Sequence, residues 1–244
     1  DIGVDGATYR AMEWRGDAIM SLSMEERMTL CNMAIEAGGK NGIIEADDVT
    51  LDYVRQRTDA PYKIYKSDDD ARYFFKRTYN ASEMEPIVAK PHSPDNKAKV
   101  SDCVDVKLDR AYIGSCTGGK ITDFIAAARL LKGKKVKIDT FIVPATREVE
   151  QDLHKEKIGS ETLVDIFKNA GAYLGEPSCA ACLGGPKDTF GRAKDNQMVI
   201  STTNRNFPGR MGSKQSHVYL ASPYTAAASA LTGHITNPAE FIYN

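Results

Sequence analysis

The spacing of apolar positions changes along the chain, and the change predicts where helices and strands lie. The stretch 23–42 is predicted to form a helix with clear ends, because Ser23 and Glu26 are spaced as in a capping box and Gly38 and Gly39 are expected to end it. A second helix is predicted over residues 45–57, because acids stand at its start and arginines at its end. The pattern therefore predicts two helices near the start of the chain.

Residues 59–100 are polar and irregular, and they end in the charged, proline-rich sequence EPIVAKPHSPDNKAKV. Proline restricts the backbone and lacks an amide donor, so a stretch of this kind is typical of a boundary. We expect two α/β domains, a partial one over residues 1–100 and a second one over residues 101–244.

Beyond residue 100, short apolar runs alternate with amphipathic segments. The predicted elements are strands over 110–116, 135–145, 197–204 and 216–222, and helices over 120–133, 146–156, 160–171 and 222–233. This alternation predicts an α/β fold with a parallel sheet flanked by helices. Ligands of such sheets bind beyond the carboxyl ends of the strands, so residues that follow a strand are candidates for a site.

Composition narrows the classes of function. The 244 residues are 42% hydrophobic and 27% charged, with a net charge of −1. No run of about 18 apolar residues predicts a membrane span, and the balanced charge offers no basic surface for nucleic acid. Five cysteines at low density argue against a secreted disulfide framework. The sequence begins at Asp1, without a methionine or signal peptide, so we expect it to be part of a longer protein.

Three cysteines stand in glycine-rich contexts. Cys116 follows a predicted strand in IGSCTGG, and Cys179 and Cys182 form a pair in PSCAACLGG. The pair suits zinc, a redox disulfide or an iron–sulfur cluster, and Cys116 alone suits a buried, inert thiol. A structural zinc ion needs two more ligands. A cluster held by three thiolates would leave one iron open as a Lewis acid.

Polar residues at two other places are candidates for binding or catalysis. Arg205 and Arg210 lie in NRNFPGRMG beside Asn204, and guanidinium groups suit carboxylates; the alternative is two solvated surface arginines. Arg192, outside this motif, is expected to tolerate replacement by Lys. Four residues apart, Asn32 and Glu36 are expected to share a helix face. A simple surface acid is the alternative for Glu36.

Four stretches taken together resemble the aconitase superfamily. IGSCTGG, PSCAACLGG, TTNRNFPGRMG and LASPYTAAASALTG occur in the order typical of that family, and the resemblance extends over nearly all of the chain. It implies a [4Fe–4S] cluster on Cys116, Cys179 and Cys182. It further implies catalytic roles near the open iron for Asn32 and Glu36, a cluster-side Asn204, and carboxylate binding by Arg205 and Arg210.

The implied activity is that of a hydro-lyase, which would interconvert 2-isopropylmalate and 3-isopropylmalate in leucine biosynthesis by removing and re-adding water. A homoaconitase-type reaction is the alternative within the family, and an RNA-binding protein without its cluster is an alternative of a different class. The family's first segment and its swivelling domain with the catalytic serine are absent. A small subunit is therefore the expected partner, the chain alone is expected to be inactive, and the expected location is the cytoplasm or the plastid stroma.

Overall fold

The structure is a computed structural model that describes residues 1–242. It divides into two compact units, one spanning Val4–Glu85 with Ile2 and the other starting at Pro86 and including Asp1 and Gly3. The boundary expected at residue 100 differs from this division, because strands within 86–100 pair with the sheet of the second unit. The domains 1–100 and 101–244 stay a prediction.

The elements follow one another in short steps. The helices are α1 (Asp17–Met20), α2 (Met24–Met33), α3 (Asp48–Arg55), α4 (Ser115–Gly118), α5 (Ile121–Leu131), α6 (Arg147–Lys155), α7 (Leu163–Ala170), α8 (Pro223–Thr232) and α9 (Ala239–Ile242). The strands are β1 (Ala11–Trp14), β2 (Asn41–Ile44), β3 (Ile87–Ala89), β4 (Lys97–Lys99), β5 (Arg110–Gly114), β6 (Asp139–Val143), β7 (Lys157–Ile158), β8 (Glu161–Thr162), β9 (Tyr173–Leu174), β10 (Met198–Ser201) and β11 (His217–Leu220). Within residues 1–242, no helix has the length and apolar character needed to span a membrane.

The first unit is built around α2 and a two-stranded parallel sheet of β1 and β2. The predicted capping box of Ser23 and Glu26 is confirmed, with each side chain bonded to the other residue's amide. The α-helix ends at Met33 and continues as a 3-10 turn over Ala34–Ala37, after which Gly38 takes a φ of 79°. The strands β1 and β2 escape prediction, because four residues are too few to show an alternating pattern.

A partly buried ion pair joins α2 to the start of α3 in this unit. The side chain of Arg27 is 2% exposed, and its Nη1 and Nη2 donate to the two carboxylate oxygens of Asp47 at 2.5 and 2.8 Å. Asp47 also caps α3 by accepting from the amide of Thr50. The hydrogen bond from Arg27 lowers the pKa of Asp47 to about 2.

The second unit is a seven-stranded sheet in the order β4-β3-β11-β10-β5-β6-β9. The five strands from β11 to β9 run parallel, and β3 and β4 form an antiparallel hairpin along β11. The predicted strands that become β5, β6, β10 and β11, and the predicted helices that become α5 to α8, are confirmed. The structure therefore confirms an α/β fold with a mostly parallel sheet flanked by helices.

Successive residues of the central strands enter different cores on the two faces of this sheet. Ala111 and Ile113 of β5 belong to the larger core, which includes the apolar sides of α5, α7 and α8. Tyr112, between them, lies in the smaller core on the opposite face. That face is covered by loops that contribute Ala181 and Met211. The loops that carry the candidate cysteine pair and arginines are thus part of the packing of the sheet.

Candidate functional site

The carboxyl ends of β5 and β10 are neighbours, and a threonine hydrogen-bonds the segments that follow the two strands to each other. Ser201 of β10 pairs with Tyr112 of β5, and the next residue, Thr202, is 3% exposed. Its Oγ1 accepts from the amide of Gly114 at 2.8 Å and lies 3.0 and 3.1 Å from the carbonyls of Gly114 and Gly118. A larger residue does not fit at position 118, because a Cβ added to Gly118 would come within 2.4 Å of Thr202.

Cys116 lies on the one-turn helix that follows β5. Ser115 adopts a φ of 74°, which is uncommon for a residue with a side chain, and its Oγ accepts from the amide of Thr117 at 3.2 Å. After this sharp turn the thiol of Cys116 is exposed and is not part of a disulfide. Lys120 ends the turn: its Nζ donates to the carbonyl of Thr117 and pairs with Asp123 at 3.0 Å.

The loop of the cysteine pair is held in a tight 3-10 turn. The amide of Leu183 donates to the carbonyl of Cys179 at 3.0 Å, so Cys179 is exposed and Cys182 is turned into the protein, 3% exposed. Gly184 follows with a φ of 71°, and a Cβ there would meet the carbonyl of Gly209 at 2.6 Å. The cysteine loop therefore lies directly against the loop that carries Arg210.

The three candidate thiols are electrostatic neighbours. Burial raises the pKa of the Cys182 thiol, and Cys116 and Cys179 raise that pKa further, whereas the Arg210 guanidinium lowers it through its charge and a hydrogen bond. The Sγ of Cys182 also lies 3.7 Å from the Oδ1 of Asn204. Residues from three separate loops, 115–118, 178–185 and 202–211, thus meet around Cys182.

The loop after β10 is fixed by buried amide and hydroxyl groups. Asn206, 1% exposed, donates from Nδ2 to the carbonyls of Lys90 and Val218 at 2.8 and 3.0 Å. Arg205 is half-buried. The Nε of Arg210 is buried and has no hydrogen-bond partner among residues 1–242. A carboxylate could accept from that N–H group, which is the chemistry expected of Arg210.

Asn32 and Glu36 belong to the first unit, whereas the residues around Cys182 belong to the second. They do not share one face of an α-helix as expected, because α2 ends at Met33 and Glu36 lies in the 3-10 turn that follows. Glu36 is 9% exposed, whereas Asn32 is half-buried, and both side chains have partners within the protein. Their roles stay a prediction.

The residues around Cys182 include the kind of donor atoms that an iron–sulfur cluster takes. In the part of the chain that the structure describes, no three His, Cys, Asp or Glu residues come close enough to hold one metal ion. A four-iron cluster instead takes each thiolate on a different iron, so its ligands surround a larger body. Three cysteine thiols outside any disulfide, with a guanidinium beside Cys182, supply the soft donors and the compensating positive charge for such a group.

Sequence reasoning missed the residues that support these loops. Thr202 ties residues 84 and 88 positions away, and no local pattern reports such a contact. Arg192 is not the neutral control expected from the sequence, because its Nε donates to the carbonyl of Gly185 at 2.8 Å. Tyr112 was treated only as an apolar strand residue. Burial raises the pKa of its hydroxyl, and Cys182 and Cys179 raise that pKa further.

Comparison with known proteins gives one family. The aconitase family (aconitate hydratase) matches residues 1–233. The chain is 56% identical over 99% of its length to the "3-isopropylmalate dehydratase large subunit, chloroplastic" of Arabidopsis thaliana, of which it covers 49%. It is 50% identical over 98% of its length to the "3-isopropylmalate dehydratase large subunit" of Heliobacterium modesticaldum, covering 56%. A Pyrococcus abyssi "3-isopropylmalate dehydratase large subunit 1" is 47% identical. The chain spans about half the length of these relatives.

Proposed function

Because the chain belongs to the aconitase family, we propose that it is the cluster-carrying part of the large subunit of a [4Fe–4S] hydro-lyase. This enzyme interconverts 2-isopropylmalate and 3-isopropylmalate in leucine biosynthesis. The observation that carries the proposal is the meeting of three cysteine thiols, none of them in a disulfide, with Arg210 and Asn204 around Cys182. The names of relatives at 47–56% identity support the same substrate.

The thiolates of Cys116, Cys179 and Cys182 hold the cluster in this proposal. When bound, the cluster supplies a Lewis acid that draws electron density from the hydroxyl that leaves. The exposed sulfurs of Cys116 and Cys179 and the buried sulfur of Cys182 suit a group that is anchored in the protein on one side and open to substrate on the other.

Arg205 and Arg210 bind the two carboxylates of the substrate. The buried and unpartnered Nε of Arg210 supports this role, since a carboxylate would satisfy it with a charge-assisted hydrogen bond. Asn204 immediately precedes Arg205, and its Oδ1 lies 3.7 Å from the Sγ of Cys182, so it orients the thiolate and the substrate relative to each other.

The reaction removes hydrogen from one carbon and hydroxyl from the adjacent carbon as water, and then returns them to the opposite carbons. We assign the role of general acid and base to the Glu36 carboxyl. It gives a proton to the hydroxyl that leaves, and it takes a proton from the water that returns. Asn32 orients that water. The base that takes the proton from carbon is expected on the small subunit, a partner that the words "large subunit" in the relatives' names support. The complex would work in the cytoplasm or in the plastid stroma.

The test is an assay of the full-length large subunit purified with its small subunit and reconstituted with iron and sulfide without oxygen. Turnover of 2-isopropylmalate is expected, together with much slower turnover of homocitrate. Faster turnover of homocitrate would replace the proposed substrate and keep the family chemistry. Zinc without sulfide in the purified protein would overturn the cluster itself. The 244-residue chain alone is expected to show no turnover.

A further inference from the structure

The hydroxyl of Tyr112 is buried without a partner. Tyr112 lies near the middle of β5, its side chain is 0% exposed, and its hydroxyl has no hydrogen-bond partner among residues 1–242. The ring is tightly enclosed: a Cβ at Gly191 would come 2.8 Å from its Cε2 atom. The position of the ring is therefore fixed by packing, and so is the direction of the hydroxyl.

A buried hydroxyl without a hydrogen-bond partner lowers the stability of the protein when nothing is bound to it. Taking it out of water without a hydrogen bond destabilises the folded state, and a phenylalanine would fill the same volume without that cost. Unsatisfied buried polar groups are rare in native proteins, so each one calls for an explanation by a group that it could serve.

The surroundings of the ring indicate which group that is. Tyr112 shares its core with Ala181, which stands between Cys179 and Cys182, and with Met211, which follows Arg210. The ring thus belongs to the same core as the loops that carry the cysteine pair and Arg210. The increase in the pKa of Tyr112 caused by Cys182 and Cys179 agrees with a hydroxyl that lies close to these two thiols.

We propose that the Tyr112 hydroxyl donates a hydrogen bond to a sulfur atom of the cluster unit, either a thiolate of the cysteine pair or an adjacent sulfide. The inference rests on the proposed function, since it needs the cluster. Tyr112 is then a positioning residue that does not touch the substrate. A hydrogen bond to sulfur favours the more negative, reduced state of an iron–sulfur cluster and so raises its reduction potential.

The test compares full-length protein with Tyr112→Phe, which keeps the ring and removes only the donor. With the cluster reconstituted, the variant is expected to hold wild-type iron and sulfide but to show a more negative midpoint potential. It should also lose cluster absorbance in air about fivefold faster, the factor that corresponds to one ordinary hydrogen bond. Without the cluster, the variant should unfold at the same or a higher denaturant concentration than wild type.

Tyr219→Phe is the matched control. Tyr219 is a buried tyrosine on β11, but it belongs to the core on the opposite face of the sheet, so its replacement should leave the potential unchanged. Full cluster content in Tyr112→Phe with a wild-type potential would overturn the inference and leave the proposed function intact. So would a lower stability of the cluster-free variant, since it would reveal a partner within the protein. Failure of the wild type to bind a cluster would overturn both.

Discussion

Arg192 holds the cysteine loop through one backbone atom, because its Nε donates a 2.8 Å hydrogen bond to the carbonyl of Gly185, three residues after Cys182. The carbonyl of Arg192 in turn accepts from Nη1 of Arg110, a buried residue on β5. The loop is therefore connected to the centre of the sheet through two arginines.

Replacing Arg192 should loosen the cluster without removing a ligand. Lys cannot reproduce the planar guanidinium, so Arg192→Lys is expected to release iron to a chelator several times faster than wild type. The measurement is the decay of visible absorbance in the full-length protein. Arg129→Lys, an exposed residue on α5, serves as the control. Equal decay in the two variants would show that the loop does not depend on this contact.

The cysteine ligands can be tested one at a time. Cys116→Ser, Cys179→Ser and Cys182→Ser should each lose most of the cluster, because a hard oxygen replaces a soft thiolate. Iron and sulfide are measured after anaerobic reconstitution of the full-length protein.

Cys103→Ser is the control for these variants, since Cys103 is buried in the core on the other face of the sheet. It should keep its cluster. The same loss in all four variants would mean that the ligands are wrongly assigned.

Arg210→Lys should separate substrate binding from cluster binding. Loss of a desolvated charge pair costs about 2–5 kcal/mol, which corresponds to a fall in kcat/KM of about 30-fold to a few thousand-fold. Cluster content should remain near that of wild type. The assay uses the complex with the small subunit, again with Arg129→Lys as the control. Similar turnover of the two variants would place the carboxylate contacts elsewhere.

Thr202→Val should destabilise the fold by removing hydrogen bonds that support the site. The substitution conserves shape but leaves the amide of Gly114 without its 2.8 Å acceptor, at a cost of about 2 kcal/mol. Thr122→Val is the matched control, because the buried Oγ1 of Thr122 has no partner in residues 1–242. Urea denaturation should show a large loss for the first variant and none for the second. The opposite order would contradict the structure.

The ion pair of Arg27 and Asp47 predicts a dependence of stability on pH. The pKa of Asp47 is lowered from 3.8 to about 2 by Arg27, so its contribution is complete above pH 3.8 and is lost as the pH falls towards 2. The contribution of this ionised carboxylate to the free energy of unfolding is about 2 kcal/mol. The difference in unfolding free energy between wild type and Asp47→Asn should therefore shrink over that range. Asp52→Asn, which removes an exposed pair with Arg55, should change stability little at any pH.

Local signals were sufficient for most of the fold. Ser23 with Glu26, Ser222 and Gly233 mark helix ends in the structure as they do in the sequence, because caps depend on residues three or four positions apart. The strands β3 and β4 were missed, since they lie in a proline-rich stretch and β3 meets β11 through a single pair, Leu220 with Ala89. Such pairings depend on residues that are far apart in the sequence, so a local pattern does not report them.

The sequence proposes the residues of the candidate site, but it does not indicate the contacts that support them. The resemblance to a family identified Cys116, Cys179 and Cys182, whereas spacing alone left zinc and a redox disulfide open. No pattern indicates that Thr202 fastens the turn at Gly114, or that the Tyr112 hydroxyl lacks a partner. Both facts depend on packing between strands β5 and β10 and the loops above them.

The two ends of the sheet bear on how this protein behaves at high concentration. The outer strand β4 has the sequence Lys-Ala-Lys, with both lysines exposed, and the strand at the other edge, β9, has only two residues. A long, flat and uncharged edge would let further chains add strand by strand, whereas charge and shortness prevent it. Each edge of the described sheet thus has a feature that opposes edge-to-edge aggregation.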